Sequence, residues 1–169
     1  MIDWFVILTP VLLLPIILLF YFIGCSLLFQ PGILVTVDIN FYLDNDLLNR
    51  GFEFKIYDSS VEIAASSTVN IDVTEPGPGN TSRVRHQFSF SPNKSGQRTL
   101  SCQGFISTTD VNDLDDLKKA VKEFLIGGGE ACEREFKGGE QYRVTFNAGI
   151  SDSGTDPASE FEICTDIEI

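Results

Sequence analysis

The sequence predicts a mainly β protein that begins with a membrane segment. Residues 1–30 read as a hydrophobic membrane anchor or signal helix, and residues 31–169 as an antiparallel β-sandwich with one α-helix inserted at about 112–126. Three observations predict this fold class. Near the N-terminus, 26 consecutive residues carry no charged side chain. Short runs of alternating apolar and polar residues fill most of the remainder, and one run shows helical spacing instead.

The hydrophobic run begins at Trp4 and ends at Phe29. A hydrocarbon core ~30 Å thick needs about 20 apolar residues in a helix, so this run is long enough to span a bilayer. A buried helix of a soluble core would show a polar stripe, which this run lacks. Pro10 and Pro15 lie within it, and transmembrane helices tolerate proline better than soluble ones do. The run therefore predicts a single membrane span.

Three fates are open for this segment: a retained signal anchor, a lipoprotein signal, or a cleaved signal peptide. The first three residues supply no basic side chain, which argues against a signal peptide. Residues 22–25 resemble a lipobox, in which Cys25 would become the acylated first residue of a lipoprotein. Because the apolar run continues past Cys25 to Phe29, the pattern favours the retained anchor. All three fates place the remaining chain at a membrane or beyond it.

The charge balance bears on orientation and on partners. The chain contains 12 Lys and Arg and 24 Asp and Glu, which gives a net charge of −12. Such a body is repelled by nucleic acid and by anionic headgroups, so nucleic-acid binding is excluded. No Lys or Arg precedes Arg50, so the positive-inside rule gives no orientation. The scarcity of basic residues and the short N-terminal tail favour an extracytoplasmic C-terminal domain.

The body shows the period of strands. Apolar side chains occupy alternate positions from Val35 to Leu43, which predicts a half-buried strand. Residues 75–80, rich in Pro and Gly, predict an exposed loop. Some eight short strands at this spacing indicate a β-sandwich or barrel. The further predicted strands cover 52–56, 61–65, 69–73, 84–90, 98–106, 142–150 and 161–169.

One segment has helical spacing instead. Its apolar positions are Leu114, Leu117, Val121, Phe124 and Leu125. Aspartates in the first turn and lysines further on match the helix dipole. Asp110 or Asn112 can cap the start, and three glycines from Gly127 can stop the helix. The pattern predicts a helix over about 112–126 that packs its apolar stripe on an end or edge of the sandwich.

Residues 139–144 resemble the corner that opens the penultimate strand of immunoglobulin-like sandwiches. In that corner a Tyr hydroxyl, here that of Tyr142, returns to nearby backbone. The cysteine that follows two positions later in immunoglobulin domains is replaced by Val144, and the only tryptophan is Trp4. The resemblance implies a generic immunoglobulin-like sandwich.

The body contains three cysteines, Cys102, Cys132 and Cys164. They form no CxxC pair and have no partner histidine, so we expect no zinc site. In an oxidising compartment we expect a disulfide between Cys102 and Cys132, with Cys164 as the alternative partner. In a cytoplasmic setting all three would be small buried or half-buried residues.

No catalytic constellation stands out. His86, the only histidine, alternates in phase with apolar neighbours and is expected to be a satisfied core or rim residue. The weak metal candidates are Asp110, Asp113 and Asp116, where calcium is the open alternative. Their segment lacks the Gly and closing Glu of an EF-hand loop, and helix capping explains them. We therefore expect no catalytic residue, no cofactor and no metal.

Two functional hypotheses follow. The first is a membrane-anchored, non-enzymatic β-sandwich that serves as a binding or structural module at the cell envelope or surface. Its partners would be the lipid bilayer and another envelope protein or a glycan, contacted through loops 75–82 and 151–159. The second is a small carbohydrate-active or metal-assisted enzyme that uses an acidic cluster.

Overall fold

The computed structural model describes residues 32–126 and 132–148. The chain divides into two units, Met1–Gly32 and Ile33–Ile169. The predicted span from Trp4 to Phe29, the lipidation candidate Cys25, loop 151–159 and the predicted strand 161–169 lie outside the described residues. Within the described ranges, no helix has the length and apolar character needed to cross a bilayer.

The described residues form a mainly β structure with one α-helix and one short 3-10 helix at Asn45–Leu47. The α-helix, α1, covers Leu114–Lys119. The strands in chain order are β1 Leu34–Asp44, β2 Arg50–Asp58, β3 Val61–Thr68, β4 Asp72–Pro76, β5 Thr81–Phe90, β6 Gly96–Asp110, β7 Lys122–Ile126, β8 Cys132–Phe136 and β9 Gln141–Ala148.

The strands form two sheets. Sheet A has the order β4-β5-β1-β9, and sheet B has the order β3-β2-β6-β7, with β8 also paired to β6. Neighbouring strands are antiparallel except β1 and β9, which run parallel. The connection from β8 to β9 passes from sheet B to sheet A, so the predicted tyrosine corner lies where the chain changes sheets.

The two sheets share one apolar core. Every apolar position of the β1 alternation, from Val35 to Leu43, is buried, which confirms that prediction. The ring of Phe41 in sheet A lies 6.1 Å from that of Phe52 and 6.0 Å from that of Phe54 in sheet B. Tilted aromatic pairs at this spacing add ~0.5–1.5 kcal/mol beyond the area that they bury.

Strands β7 and β8 lie along the same edge of β6. Gly104 pairs with Ile126, and Leu100 pairs with Cys132. The two strands therefore pair with successive stretches of β6.

The helix predicted over 112–126 is shorter than expected. It ends at Lys119, since Ala120 is extended (φ −66°, ψ 143°), and Lys122–Ile126 form strand β7 instead. The Thr108 amide donates to the Val121 carbonyl at 2.9 Å, so the edge of β6 captures the chain directly after the helix. Val121, expected on the apolar stripe of a helix that packs on the sandwich, is 73% exposed. The helix cap is Asp113 rather than Asp110 or Asn112.

The edge strand β4 of sheet A also differs from its prediction. We expected a strand over 69–73 followed by a loop from residue 75, but β4 covers Asp72–Pro76. All its residues are exposed, and it forms one edge of sheet A. Proline has no amide hydrogen to donate to a neighbouring strand. An edge strand accommodates Pro76 because it has a neighbour on one side only. Strand β6 is likewise longer than the predicted 98–106.

Candidate functional site

Hydrogen-bonding side chains make up most of the outer surface of sheet A, and the exposed Leu34 lies at one end of β1. Since alternate residues of β1, β5 and β9 point into the core, the residues between them point outward. We call this surface the polar face. Its members are Thr36, Asp38, Asn40, Tyr42, Arg83, Arg85, Gln87, Ser89, Gln141, Arg143, Thr145 and Asn147.

Asp38 lies at the centre of the polar face and is only 4% exposed. Its Oδ1 accepts from Arg85 Nη2 at 2.6 Å, from Arg85 Nε at 3.1 Å and from Gln87 Nε2 at 2.7 Å. Its Oδ2 forms an ion pair with Arg143 Nε at 3.3 Å. Gln87 lies directly opposite on β5, while the arginines occupy diagonal positions on β5 and β9 that long side chains can bridge.

This geometry compensates the buried carboxylate. A carboxylate removed from water is costly unless it is paired and hydrogen-bonded, and both oxygens of Asp38 have cationic partners. The Arg85 and Arg143 side chains remain 41% and 53% exposed. Across residues 32–126 and 132–148, neither Arg85 Nη1 nor the two Nη atoms of Arg143 form a hydrogen bond.

Neutral pairs hold the surface on either side of Asp38. The hydroxyls of Thr36 and Ser89 lie 3.1 Å apart, linking β1 to β5. Asn40 Nδ2 donates to Asn147 Oδ1 at 3.1 Å, linking β1 to β9. Hydroxyl and amide groups donate and accept, so this surface suits a ligand that carries many hydroxyls.

The predicted contact loop 75–82 lies at the end of β1 and is well anchored. Asn80 Nδ2 donates to Asp44 Oδ1 at 3.1 Å, and the Asn45 amide donates to the Asn80 carbonyl at 3.0 Å. A Cβ at Gly77 would lie 2.7 Å from Cδ1 of Tyr42, so only glycine lets the loop approach this ring. The loop thus borders the polar face.

The predicted metal candidates serve other roles. Asp113 caps α1 by accepting the Asp116 amide at 2.8 Å. Asp110 lies 3.5 Å from Arg50 Nε in an ion pair. Among the described residues, no group of three or more His, Cys, Asp or Glu is placed to hold a metal ion.

His86 is a satisfied rim residue, as predicted. Its Nε2 lies 3.0 Å from the Ser66 hydroxyl across the two sheets, and its ring stacks on Phe54 at 4.8 Å. Burial lowers the pKa of His86, and the charge of Asp72 opposes this shift. Ser66 and His86 alone do not make an acyl-transfer site, which also needs a group that orients the histidine.

Cys102 on β6 is buried and forms no disulfide within the described residues, and burial raises the pKa of its thiol to about 12. A thiol with such a pKa is a poor nucleophile. The ladder places Cys132 opposite Leu100, one diagonal step from Cys102. The disulfide between Cys102 and Cys132 stays a prediction, because the Cys132 side chain is outside the described structure.

The Tyr142 corner matches its prediction in detail. Its hydroxyl accepts the Lys137 amide at 2.7 Å and donates to Glu140 Oε2 at 2.5 Å, so it does return to nearby backbone. Burial, together with the hydrogen bond to Glu140, raises the pKa of Tyr142. A shallow cleft of about 300 Å³ borders this corner. Charged side chains dominate its lining, unlike the mostly apolar pockets that hold small molecules.

Comparison with protein-family models, curated proteins and solved structures finds no match. The candidate site is therefore defined by geometry: an acidic two-sheet β domain presents the polar face around Asp38. Sequence reasoning placed Asp38 on the outward side of its strand but did not single it out. The alternating Arg83 and Arg85 were the signal that could have pointed to this face.

Proposed function

We propose that the chain is a membrane-anchored, non-enzymatic module that binds another envelope protein or a glycan through the polar face. The observation that carries this proposal is the buried Asp38 with its two arginines. The apolar run from Trp4 to Phe29 supports anchoring, and the scarcity of Lys and Arg together with the short N-terminal tail supports an extracytoplasmic domain.

Pre-organisation favours a binding role over a merely solvated surface. A solvated sheet face needs no buried carboxylate, and its arginines would sample many rotamers. Here Arg85 and Arg143 are held before any ligand arrives. Immobilising a rotamer-rich side chain on binding costs ~0.5–1.5 kcal/mol, and a surface that is already ordered avoids much of that cost.

As the finer description of the fold we propose an immunoglobulin-like sandwich. The support is the tyrosine corner, which lies where the chain passes from sheet B to sheet A. Val144 in place of the usual cysteine and the parallel pairing of β1 with β9 depart from a plain immunoglobulin pattern.

The alternative of a small carbohydrate-active or metal-assisted enzyme gains no specific support. It was built on the acids Asp110, Asp113 and Asp116, and the first two are engaged by Arg50 and by the helix start. We therefore carry a single proposed function.

Site-specific photocrosslinking in native membranes tests the proposal. A photoreactive residue replaces Gln141 on the polar face, and the matched control replaces Glu62 on the outer side of β3. We expect the full chain to stay in the membrane fraction after carbonate washing, and only the Gln141 position to yield a discrete crosslinked species. Release from the membrane, or equal products from both positions, would contradict the proposal.

A further inference from the structure

We infer that the edge of β9 is the docking site for the chain's own segment 161–169, which adds to sheet A as a strand antiparallel to β9. The site is the side of β9 that faces away from β1, and it is distinct from the polar face. Three observations carry the inference: the character of β9 as an outer strand, the alternation of residues in the segment, and the chain that connects the two.

Within residues 32–126 and 132–148, β9 is the last strand of sheet A, and it lacks the usual protection of a sheet edge. Outer strands are normally short, or carry a bulge or a proline that discourages pairing. The opposite edge, β4, has five residues, a register shift and Pro76. In contrast, β9 pairs with β1 over eight residues without a register shift and contains no proline. Its one charged residue, Arg143, is engaged by Asp38 on the polar face.

The outer strands of sheet B support the contrast. The ladders of β3 and β7 contain register shifts, and β8 has only five residues. Of the outer strands in the part of the chain that the structure describes, β9 alone is both long and regular. Such an edge pairs readily with another strand unless it is covered.

The burial of β9 is also that of an interior strand. Tyr142, Val144 and Phe146 are at most 4% exposed. Strands β3 and β4, which lie at sheet edges, contain no buried residue. A strand with solvent along one side leaves its core-facing side chains partly accessible, because no neighbour shields them there. The burial of β9 therefore favours a further strand along its edge.

Segment 161–169 has the sequence pattern that such a neighbour needs. Phe161, Ile163, Thr165, Ile167 and Ile169 alternate along it as apolar or β-branched residues. The positions between them are polar or small: Glu162, Cys164, Asp166 and Glu168. Alternate side chains of a strand point to opposite faces. The segment can therefore continue the core face of β9 while its acids face solvent.

The connecting chain favours antiparallel pairing within one molecule. Residues 149–160 join β9 to the segment and include Gly154 and Pro157. An antiparallel neighbour needs only a turn, whereas a parallel one needs a crossover that is usually an α-helix. Glycine and proline so close together disfavour that helix. A segment tethered in this way is present at an effective concentration of about millimolar, so it outcompetes a second copy of the chain.

This placement puts Cys164 on the solvent side of sheet A. Because the apolar positions of the segment point into the core, Cys164 shares the outward side with Arg143, Thr145 and Asn147 of β9. Cys102 is buried in the core. The placement therefore excludes Cys164 as a disulfide partner of Cys102.

Disulfide trapping in the full chain, held in phosphatidylcholine nanodiscs, tests the inference. Arg143→Cys, Thr145→Cys and Asn147→Cys are made one at a time, with Cys25 and Cys132 changed to serine. Opposite residues of an antiparallel pair have Cβ atoms about 4.5–5.5 Å apart, which a disulfide can bridge after a small adjustment. We expect mild oxidation to join one of these positions to Cys164 within the same chain, as shown by mass analysis of unreduced peptides.

Ser89→Cys is the matched control, since Ser89 is exposed on the same face of sheet A but lies on β5, two strands from β9. It should form no disulfide with Cys164. Absence of an internal disulfide at all three β9 positions would overturn the inference. A disulfide-linked dimer in its place would also overturn it, because the strand would then come from a second copy.

Two substitutions within the segment give an independent readout. Ile163→Gln places an amide on the core side and should lower the melting temperature by about 4 °C. Glu162→Gln changes the solvent side and should leave it near that of wild type. Equal melting temperatures for the two variants would contradict the placement. Membrane retention and crosslinking from Gln141 do not depend on these results, so the proposed function can stand where this inference fails.

Discussion

A carboxylate on the solvent side of a sheet is normally hydrated, and Asp38 is dry because arginines from both neighbouring strands close over it. Their guanidinium groups contact the carboxylate, and both side chains remain partly exposed. Both arginines exceed 40% exposure, whereas Asp38 is 4% exposed. One buried acid thus orients two exposed cations.

At the same scale, His86 is expected to make stability depend on pH. Burial lowers its pKa in the folded state below the ordinary value of 6.5. The unfolded chain then binds the proton more readily, so this contribution is complete above pH ~6.5 and is lost as the pH falls below it. Urea unfolding of wild type should therefore show a larger loss of stability from pH 7.5 to pH 5.5 than unfolding of His86→Gln.

NMR provides an independent readout, because the chain contains one histidine and its ring signal needs no assignment. Since the charge of Asp72 raises the pKa of His86, Asp72→Asn should lower that pKa further. Parallel pH profiles for wild type and His86→Gln, or a His86 pKa at or above the ordinary value, would contradict this account.

Among the elements, α1 is fixed by its contact with β2 at Gly51. A Cβ at Gly51 would lie 2.6 Å from Leu117 Cδ1 and 2.7 Å from Val111 Cγ2. Leu117 is 1% exposed, so it has little room to move. Gly51→Ala should destabilise the domain by ~1–3 kcal/mol through overpacking. Gly32→Ala is the matched control, because nothing lies within 4 Å of its added Cβ.

Thermal melting of both variants measures the difference. We expect a lower melting temperature for Gly51→Ala and a value near that of wild type for Gly32→Ala. An unchanged melting temperature for Gly51→Ala would show that the helix and β2 are not as closely packed as the structure has them.

The elements also show what the sequence could and could not predict. The alternation of β1 was sufficient to predict that strand, because one face of it is wholly buried. The segment after Lys119 was misassigned because Val121, Phe124 and Leu125 satisfy a helical period. The free edge of β6 decides between helix and strand, and that edge is not local information. Likewise, the partners of Asp38 depend on the register of three strands.

At the scale of the whole molecule, the predicted span raises the question of which side of the membrane the acidic domain lies on. We expect the domain outside the cytoplasm. The test places a single cysteine, Lys118→Cys, at a side chain that is 75% exposed, with Cys132 and Cys164 changed to serine. An impermeant maleimide should label this variant equally in intact and lysed cells. Labelling only after lysis would place the domain in the cytoplasm.

The parent chain without Lys118→Cys is the control, and its two remaining thiols make the experiment interpretable. Cys102 should stay unlabelled while the chain is folded, since it is buried and its pKa is about 12. Cys25 should also stay unlabelled, because a spanning segment keeps it in lipid and acylation would block it. Mass analysis separates those two cases: a diacylglyceryl adduct on Cys25 would replace the retained anchor by a lipid, while an intact N-terminus from Met1 would establish the anchor.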